Sequence, residues 1–169
     1  DFGEVNSAMQ KYVDRQIIAG VSTAVLHGQE LVHLHCNGWA DREHQIALRD
    51  DHLFRIYSNT KLITSMAVMQ LIEQGKLALD DPADYWLPQL RNRRVLRPGA
   101  TSLDDTEPAQ SAITVRQLLN HTSGLSYGLL DHGSLLYKAY NEVRILNAFT
   151  TLEDMMNLLQ PLPLSFHPG

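Results

Sequence analysis

The sequence predicts an α+β fold in which helices outnumber strands. Two neighbouring β-type runs, separated by a short polar turn, predict an antiparallel hairpin, and four or five other segments carry helical periodicity or helix-capping patterns. With 44% hydrophobic and 20% charged residues, the 169-residue chain has the composition of a folded globular protein with one core. Because two strands alone form a marginal sheet with exposed edges, either the fold is mostly helical or further strands lie outside this chain.

The first elements are a helix and a hairpin. Apolar side chains recur at three- and four-residue steps over residues 5–18 and predict an amphipathic helix. Residues 21–26 and 31–36 then alternate as strands do, and the polar turn at 27–30 has the length and composition of a hairpin loop. An irregular connection is expected over residues 38–54.

The central helix is predicted over residues 60–74. It is apolar on nearly every face, which predicts a helix buried on most sides, and Gly75 is a natural C-terminal stop. Residues 96–110 are rich in Pro, Gly, Thr, Ser and Asp and predict a long surface loop. The one basic cluster, which comprises Arg91, Arg93, Arg94 and Arg97, lies beside Pro98 and Gly99 and is also interpreted as a solvated loop.

Two capping boxes predict the remaining helices. Thr114 with Gln117 opens a short helix that ends near His121, and a second box from Thr150 to Glu153 opens a helix that runs through Leu159. The final residues are rich in proline and predict coil.

Composition and charge exclude several functional classes. The formal net charge of -5 and the interspersed acidic and basic residues leave no concentrated positive field for nucleic acid. Cys36 is the only cysteine, so an intrachain disulfide is impossible. No apolar run approaches the roughly 20 residues that span a bilayer, and no signal-peptide pattern opens the chain. Since the first residue is Asp1 rather than Met, we expect a processed or trimmed N-terminus; the compartment is not predicted.

Ser58 and Lys61 form the most chemically suggestive pair. They lie three residues apart at the start of the central helix, so their side chains share one face. A serine hydroxyl needs a base to remove its proton, and a lysine amine serves only when burial or positive surroundings disfavour the ammonium form. The first turn of a buried helix would supply both conditions. The alternative is structural: Ser58 or Thr60 caps the helix and Lys61 is solvated.

A competing serine lies in the segment 124–128, which matches the G-x-S-x-G nucleophile elbow. That motif requires a strand before the serine and a helix after it, whereas a helix is predicted to precede Ser126. We therefore do not expect Ser126 to be catalytic. His121 and His132 are conceivable bases, but nothing in the sequence places either beside Ser58, and a nearby lysine makes a histidine base redundant.

A metal site is conceivable on the second strand. His33 and His35 share one side of it, and Cys36 follows directly. No carboxylate or further histidine at ligand spacing completes a set, so we expect neither a metal nor a cofactor.

Three segments together resemble the β-lactamase-related serine hydrolases, which include class C β-lactamases, D-alanyl-D-alanine peptidases and esterases with a β-lactamase fold. The segments occur in the family's order, and the likeness runs from about residue 5 to 169. They are FRIYSNTK at residues 54–61, LIEQGKL with LDDP at 71–77 and 79–82, and ITVRQLLNHTSGL at 113–125.

The resemblance implies a fold and a reaction. The fold is a β-lactamase/transpeptidase-like antiparallel sheet flanked by helices, with a helical subdomain. Ser58 would be acylated by an ester, lactam or peptide carbonyl, and Lys61 would assist proton transfer. The Ser58 backbone amide would be one oxyanion-hole donor, and water would release the acyl group. A carboxylesterase-type member is the leading expectation; a β-lactamase, a D-alanyl-D-alanine carboxypeptidase or a non-catalytic binding relative is the alternative.

The family pattern is incomplete in this chain. The resemblance implies a Tyr-x-Asn motif soon after Pro168-Gly169, but the only such string, Tyr57-Ser58-Asn59, overlaps the nucleophile. A Lys-Thr-Gly or His-x-Gly strand is also missing. We therefore interpret residues 1–169 as the N-terminal part of one domain, with helix, hairpin and connector over 1–57 and the helical part over 58–169. A second polypeptide or a further segment of the same protein is expected to supply the remaining strands.

Overall fold

The computed structural model describes residues 1–129, 131–146 and 151–169. It divides into two compact units, Asp1–Tyr57 and Ser58–Gly169. That both units belong to one serine-hydrolase domain stays a prediction. None of the helices in the described ranges is long and apolar enough to span a bilayer.

The first unit is one helix and a three-stranded antiparallel sheet. Helix α1 spans Gly3–Asp14, and strands β1 (Gly20–His27), β2 (Glu30–Asp41) and β3 (Ile46–Ala47) pair in that order. The predicted hairpin is confirmed. The predicted helix end at residue 18 is wrong, because Gln16 adopts a left-handed backbone (φ 58°) and ends the helical path. Strand β2 also continues beyond its predicted end at residue 36.

The extension of β2 depends on glycine. Gly38 pairs with Gly20 across the ladder and has a φ of 80°, a backbone region that favours glycine. A Cβ atom at Gly38 would come within 2.8 Å of Val13 Cγ1, so the bare backbone lets α1 pack against the hairpin. Side-chain contacts also stabilise the packing of this N-terminal helix against the hairpin. Asn37 donates to Gln10 at 2.8 Å, and the His33 ring stacks on Phe2 with centroids 4.7 Å apart.

In its described residues, the second unit contains four α-helices and a short hairpin. The helices are α2 (Thr60–Glu73), α3 (Val115–Leu119), α4 (Leu135–Glu142) and α5 (Leu152–Leu159), and the strands are β4 (Arg94–Leu96) and β5 (Thr106–Pro108). The prediction of an unbroken loop over residues 96–110 is wrong at both ends, where β4 and β5 pair antiparallel. Helix α4 was not predicted. Its N-cap is Ser134, which accepts from the Tyr137 amide.

One capping box lies where predicted and the other is shifted. Thr114 accepts from the Gln117 amide while the Gln117 side chain accepts from the Thr114 amide, as expected. The predicted Thr150 cap lies outside the described residues. Helix α5 is instead capped by Thr151 with Asp154, and it ends at Leu159 as predicted.

The core of the second unit consists of two apolar clusters. One cluster consists of buried residues of α4 and α5 and of residues that follow these helices, including Tyr140 and Leu162. The other contains Ile113 and Leu164. Leu164 bridges to β4, since its amide donates to the Arg94 carbonyl at 2.8 Å. The C-terminal proline-rich segment is therefore part of the core rather than a free tail.

Arg93 is buried and does not belong to a solvated loop. Its side chain donates to the backbone carbonyls of Leu159, Gln160 and Leu162, at the C-terminal end of α5. Burial lowers its pKa. The prediction of a wholly solvated basic cluster is wrong at this position, because α5 needs partners for its last carbonyls and a guanidinium supplies several donors at once.

Helix α2 is exposed, contrary to the predicted burial. It begins and ends as expected, with Gly75 in a left-handed conformation (φ 66°). None of its residues is buried, and Leu62 and Met66 are 66% and 63% exposed. Both apolar clusters of this unit are built from other segments. An apolar helix surface of this kind is uncommon on a monomeric protein and marks an interaction surface.

Candidate active site

Ser58 lies in a single 3-10 turn, Tyr57–Asn59, that leads directly into α2. The preceding residue, Tyr57, has a left-handed backbone with φ 44°. For a non-glycine residue this conformation costs of the order of 1 kcal/mol, and such strain concentrates at functional sites. The turn presents Ser58 before the first helical residue, with its side chain exposed.

Lys61 contacts Ser58 directly. Its Nζ donates to Ser58 Oγ over 3.1 Å, the distance of an ordinary hydrogen bond. The capping alternative does not describe this helix, because the N-cap position is Asn59 rather than Ser58 or Thr60. The structure thus brings together the two residues that the sequence singled out.

The expected burial of this pair is absent within the described part of the chain. Both Ser58 and Lys61 are exposed, as is the first turn of α2 around them. Within the described residues the geometry is that of a nucleophile and its base, and the low-polarity surroundings that the base requires are missing.

Tyr127 is a site residue that the sequence analysis missed. Lys61 Nζ lies over its ring, 6.0 Å from the centroid, which is the outer limit of a cation–π contact. Tyr127 follows Ser126 in the segment after α3, and an aromatic residue in a Gly- and Ser-rich loop was the available signal.

The context of Ser126 is as predicted, with helix α3 and no strand leading into its segment. The Ser126 amide donates to the Tyr140 hydroxyl at 3.2 Å. Burial raises the pKa of Tyr140, although the Ser126 contact opposes the shift. This hydrogen bond fastens the 124–128 segment to α4, so the backbone of Ser126 has a structural function.

The histidines that the sequence singled out have contacts of their own. His33 and His35 share one side of β2 and stack with centroids 6.2 Å apart, and His33 also contacts Asn6 Oδ1 at 2.9 Å. Among the described residues, no group of three or more His, Cys, Asp or Glu side chains could hold a metal ion. His132 packs edge-on against Tyr137.

Comparison with known proteins identifies the family. The sequence profile of the Beta-lactamase family matches residues 5–169. Esterase EstB of Burkholderia gladioli is 37% identical over 158 residues, which cover 92% of this chain and 37% of EstB. The structure of EstCE1, a hydrolase with promiscuous acyltransferase activity, superposes with a TM-score of 0.81 at 28% identity, covering 98% of this chain and 41% of that one.

A third similar structure is that of a synthase. Simvastatin synthase (LovD) of Aspergillus terreus superposes with a TM-score of 0.69 at 30% identity, covering 98% of this chain and 41% of that one. The chain thus spans about two fifths of the length of these relatives. The predicted fold class is confirmed. The chain belongs to the Beta-lactamase family, a family of β-lactamase-fold hydrolases with esterase and acyltransferase relatives, and covers its N-terminal part.

Proposed function

We propose that this protein is a serine hydrolase of the carboxylesterase type that acts through an acyl-serine intermediate. The observation that carries the proposal is the 3.1 Å hydrogen bond between Lys61 Nζ and Ser58 Oγ at the start of α2. A nucleophile within hydrogen-bond reach of its base is the geometric requirement for covalent catalysis. Similarity to an esterase of Burkholderia gladioli supports the esterase type over a β-lactamase or peptidase.

The reaction has two stages. Neutral Lys61 accepts the Ser58 hydroxyl proton as Oγ attacks the ester carbonyl, and the Ser58 amide donates to the oxyanion. The tetrahedral intermediate collapses as Lys61 returns the proton to the departing alcohol. Water then attacks the carbonyl carbon of the acyl-serine and gives one proton to Lys61, which passes it to Ser58 Oγ as the bond from Oγ to the acyl carbon breaks and the carboxylic acid leaves.

We also propose that a C-terminal segment, of the same protein or of a second polypeptide, covers α2 and completes the sheet. The exposed Leu62 and Met66 on α2 favour such a cover. Burial would also supply the low-polarity surroundings that a neutral Lys61 needs. The relatives extend well beyond the matched region, which is consistent with a further segment of this kind.

A fluorophosphonate probe tests the nucleophile. We expect intact mass spectrometry of the complete gene product to show one adduct, and peptide mapping to place it on Ser58. Ser58→Ala should abolish labelling, and Lys61→Met should slow hydrolysis of a p-nitrophenyl ester by about 10²–10⁴-fold. Ser126→Ala is the matched control and should leave labelling unchanged. An adduct on Ser126 instead would overturn the mechanism.

The same experiment separates the alternatives. Labelling of Ser58 by penicillin, with no ester hydrolysis, would favour the β-lactamase or D-alanyl-D-alanine carboxypeptidase alternative. A folded protein that neither probe labels would be a non-catalytic relative. The mass spectrum also tests the covering segment, since a 169-residue polypeptide that was folded, monomeric and active by itself would contradict that proposal.

A further inference from the structure

An apolar cavity of about 330 Å³ lies inside the second unit, between the 124–128 segment and helices α4 and α5. This volume falls in the lower part of the range of small-molecule pockets, which is about 300–1,000 Å³. It is open at one side, where the Tyr127 side chain and the half-exposed Leu146 form its rim.

The lining of the cavity suits a hydrocarbon. Most of its side-chain lining is apolar, with Leu125, Ile145 and Met155 among the walls, and none of the described lining residues is Asp, Glu, Lys or Arg. The other polar lining residues are His121, Ser123, Ser126 and Tyr140. The buried Tyr140 hydroxyl already accepts a hydrogen bond from the Ser126 amide. A ligand made only of methylene groups therefore leaves this buried hydroxyl paired as it is now.

The cavity is joined to the candidate active site through one residue. The Tyr127 ring lines the cavity and also lies 6.0 Å from Lys61 Nζ, which itself contacts Ser58 Oγ at 3.1 Å. Within the second unit, the Ser58 hydroxyl contacts the Lys61 amine, the amine lies beside the Tyr127 ring, and the ring lines the cavity. Tyr127 is thus the residue that the Lys61 contact and the lining of the cavity share.

We propose that this cavity receives the acyl chain of the substrate, with Tyr127 at its entrance, so that the protein favours esters of medium-chain aliphatic acids over acetate esters. The inference rests on the proposed function at Ser58. Each methylene that moves from water into the cavity contributes about fourfold to kcat/KM, because apolar burial is worth about 0.8 kcal/mol per methylene.

The first test fills the cavity from its rim. Wild type is compared with Leu146→Trp on p-nitrophenyl octanoate and acetate, using the complete gene product. We expect the octanoate-to-acetate ratio of kcat/KM to fall at least about tenfold. Leu152→Trp is the matched control, since Leu152 is exposed in the same unit and does not line the cavity. Met155→Phe fills the cavity from α5 and should act in the same direction.

The second test needs no turnover. Calorimetry should detect octanoate binding to the Ser58→Ala protein, and Leu146→Trp in that background should weaken it by about tenfold or more. An unchanged chain-length ratio in both filled variants, or the same change in the Leu152→Trp control, would overturn the cavity assignment while leaving Ser58 hydrolysis intact. Absence of hydrolysis and labelling, with octanoate binding that still depends on Leu146, would overturn the proposed function alone.

Discussion

Replacement of Arg93 by methionine tests how the second unit is held together. Methionine keeps much of the apolar stem and its packing while removing every donor. The carbonyls of Leu159 and Leu162, both buried, lose their guanidinium partner, whereas Gln160 lies at an exposed residue and its carbonyl can be rehydrated.

The magnitude follows from these contacts. The Leu159 carbonyl keeps a hydrogen bond from the Leu162 amide at 3.1 Å, so of the two buried carbonyls only that of Leu162 is left unpaired, at a cost of about 1–3 kcal/mol. Removing a buried cation whose Nε–H has no partner in the described structure offsets part of this loss. We expect the free energy of unfolding to fall by about 1–2 kcal/mol, which is still a measurable part of the stability of a typical domain.

Urea denaturation followed by circular dichroism measures this change. Arg91→Met is the matched control, because the Arg91 side chain is 59% exposed and lies 3.7 Å from an Asp84 oxygen. Such a surface pair contributes about 0–1 kcal/mol. If Arg93→Met cost no more than Arg91→Met at an unchanged denaturant slope, water would replace the guanidinium at α5 and the argument would be refuted.

Two further predictions concern backbone geometry and charge. Gly124→Ala should destabilise the protein by more than Gly133→Ala: both glycines have positive φ values, of 82° and 107°, but only at Gly124 would the added Cβ collide with the Phe166 carbonyl. Equal losses in thermal denaturation would show that the segment moves aside. The Arg116 guanidinium, through hydrogen bonds of 2.7 and 3.0 Å, holds the pKa of Asp80 below the ordinary value of 3.8 for an aspartate side chain. The stabilising contribution of this pair is present above that value and is lost as the pH falls through the lowered pKa. NMR titration should find the Asp80 pKa back near 3.8 in Arg116→Gln, and an unchanged pKa would contradict the assignment.

Local patterns predicted those parts of the fold whose causes lie within a few residues. The hairpin follows from alternation and a polar turn, the start of α3 from the Thr114 and Gln117 side chains, and the end of α2 from Gly75. Helix α4 was missed because its eight residues, Leu135–Glu142, mix aromatic, charged and amide side chains in a span too short for a clear period.

The candidate site likewise has one contact that local sequence predicts and one that it does not. The spacing of Ser58 and Lys61 determines that their side chains share a face, since three residues are nearly one helical turn, and the 3.1 Å contact follows from it. Tyr127 lies 66 positions further along the chain than Lys61, so its approach to the amine depends on packing that no local pattern encodes.

The sequence by itself determined the chemical pair, the helix that carries it and the resemblance to a family, because each depends on residue types at short spacing. Only the tertiary structure decided that Arg93 is buried, that Tyr127 adjoins Lys61 and that an apolar cavity opens behind it. It also showed α2 exposed within the described residues. Burial is a property of the surroundings of a side chain, and an apolar pattern states which surface needs cover without stating what provides it.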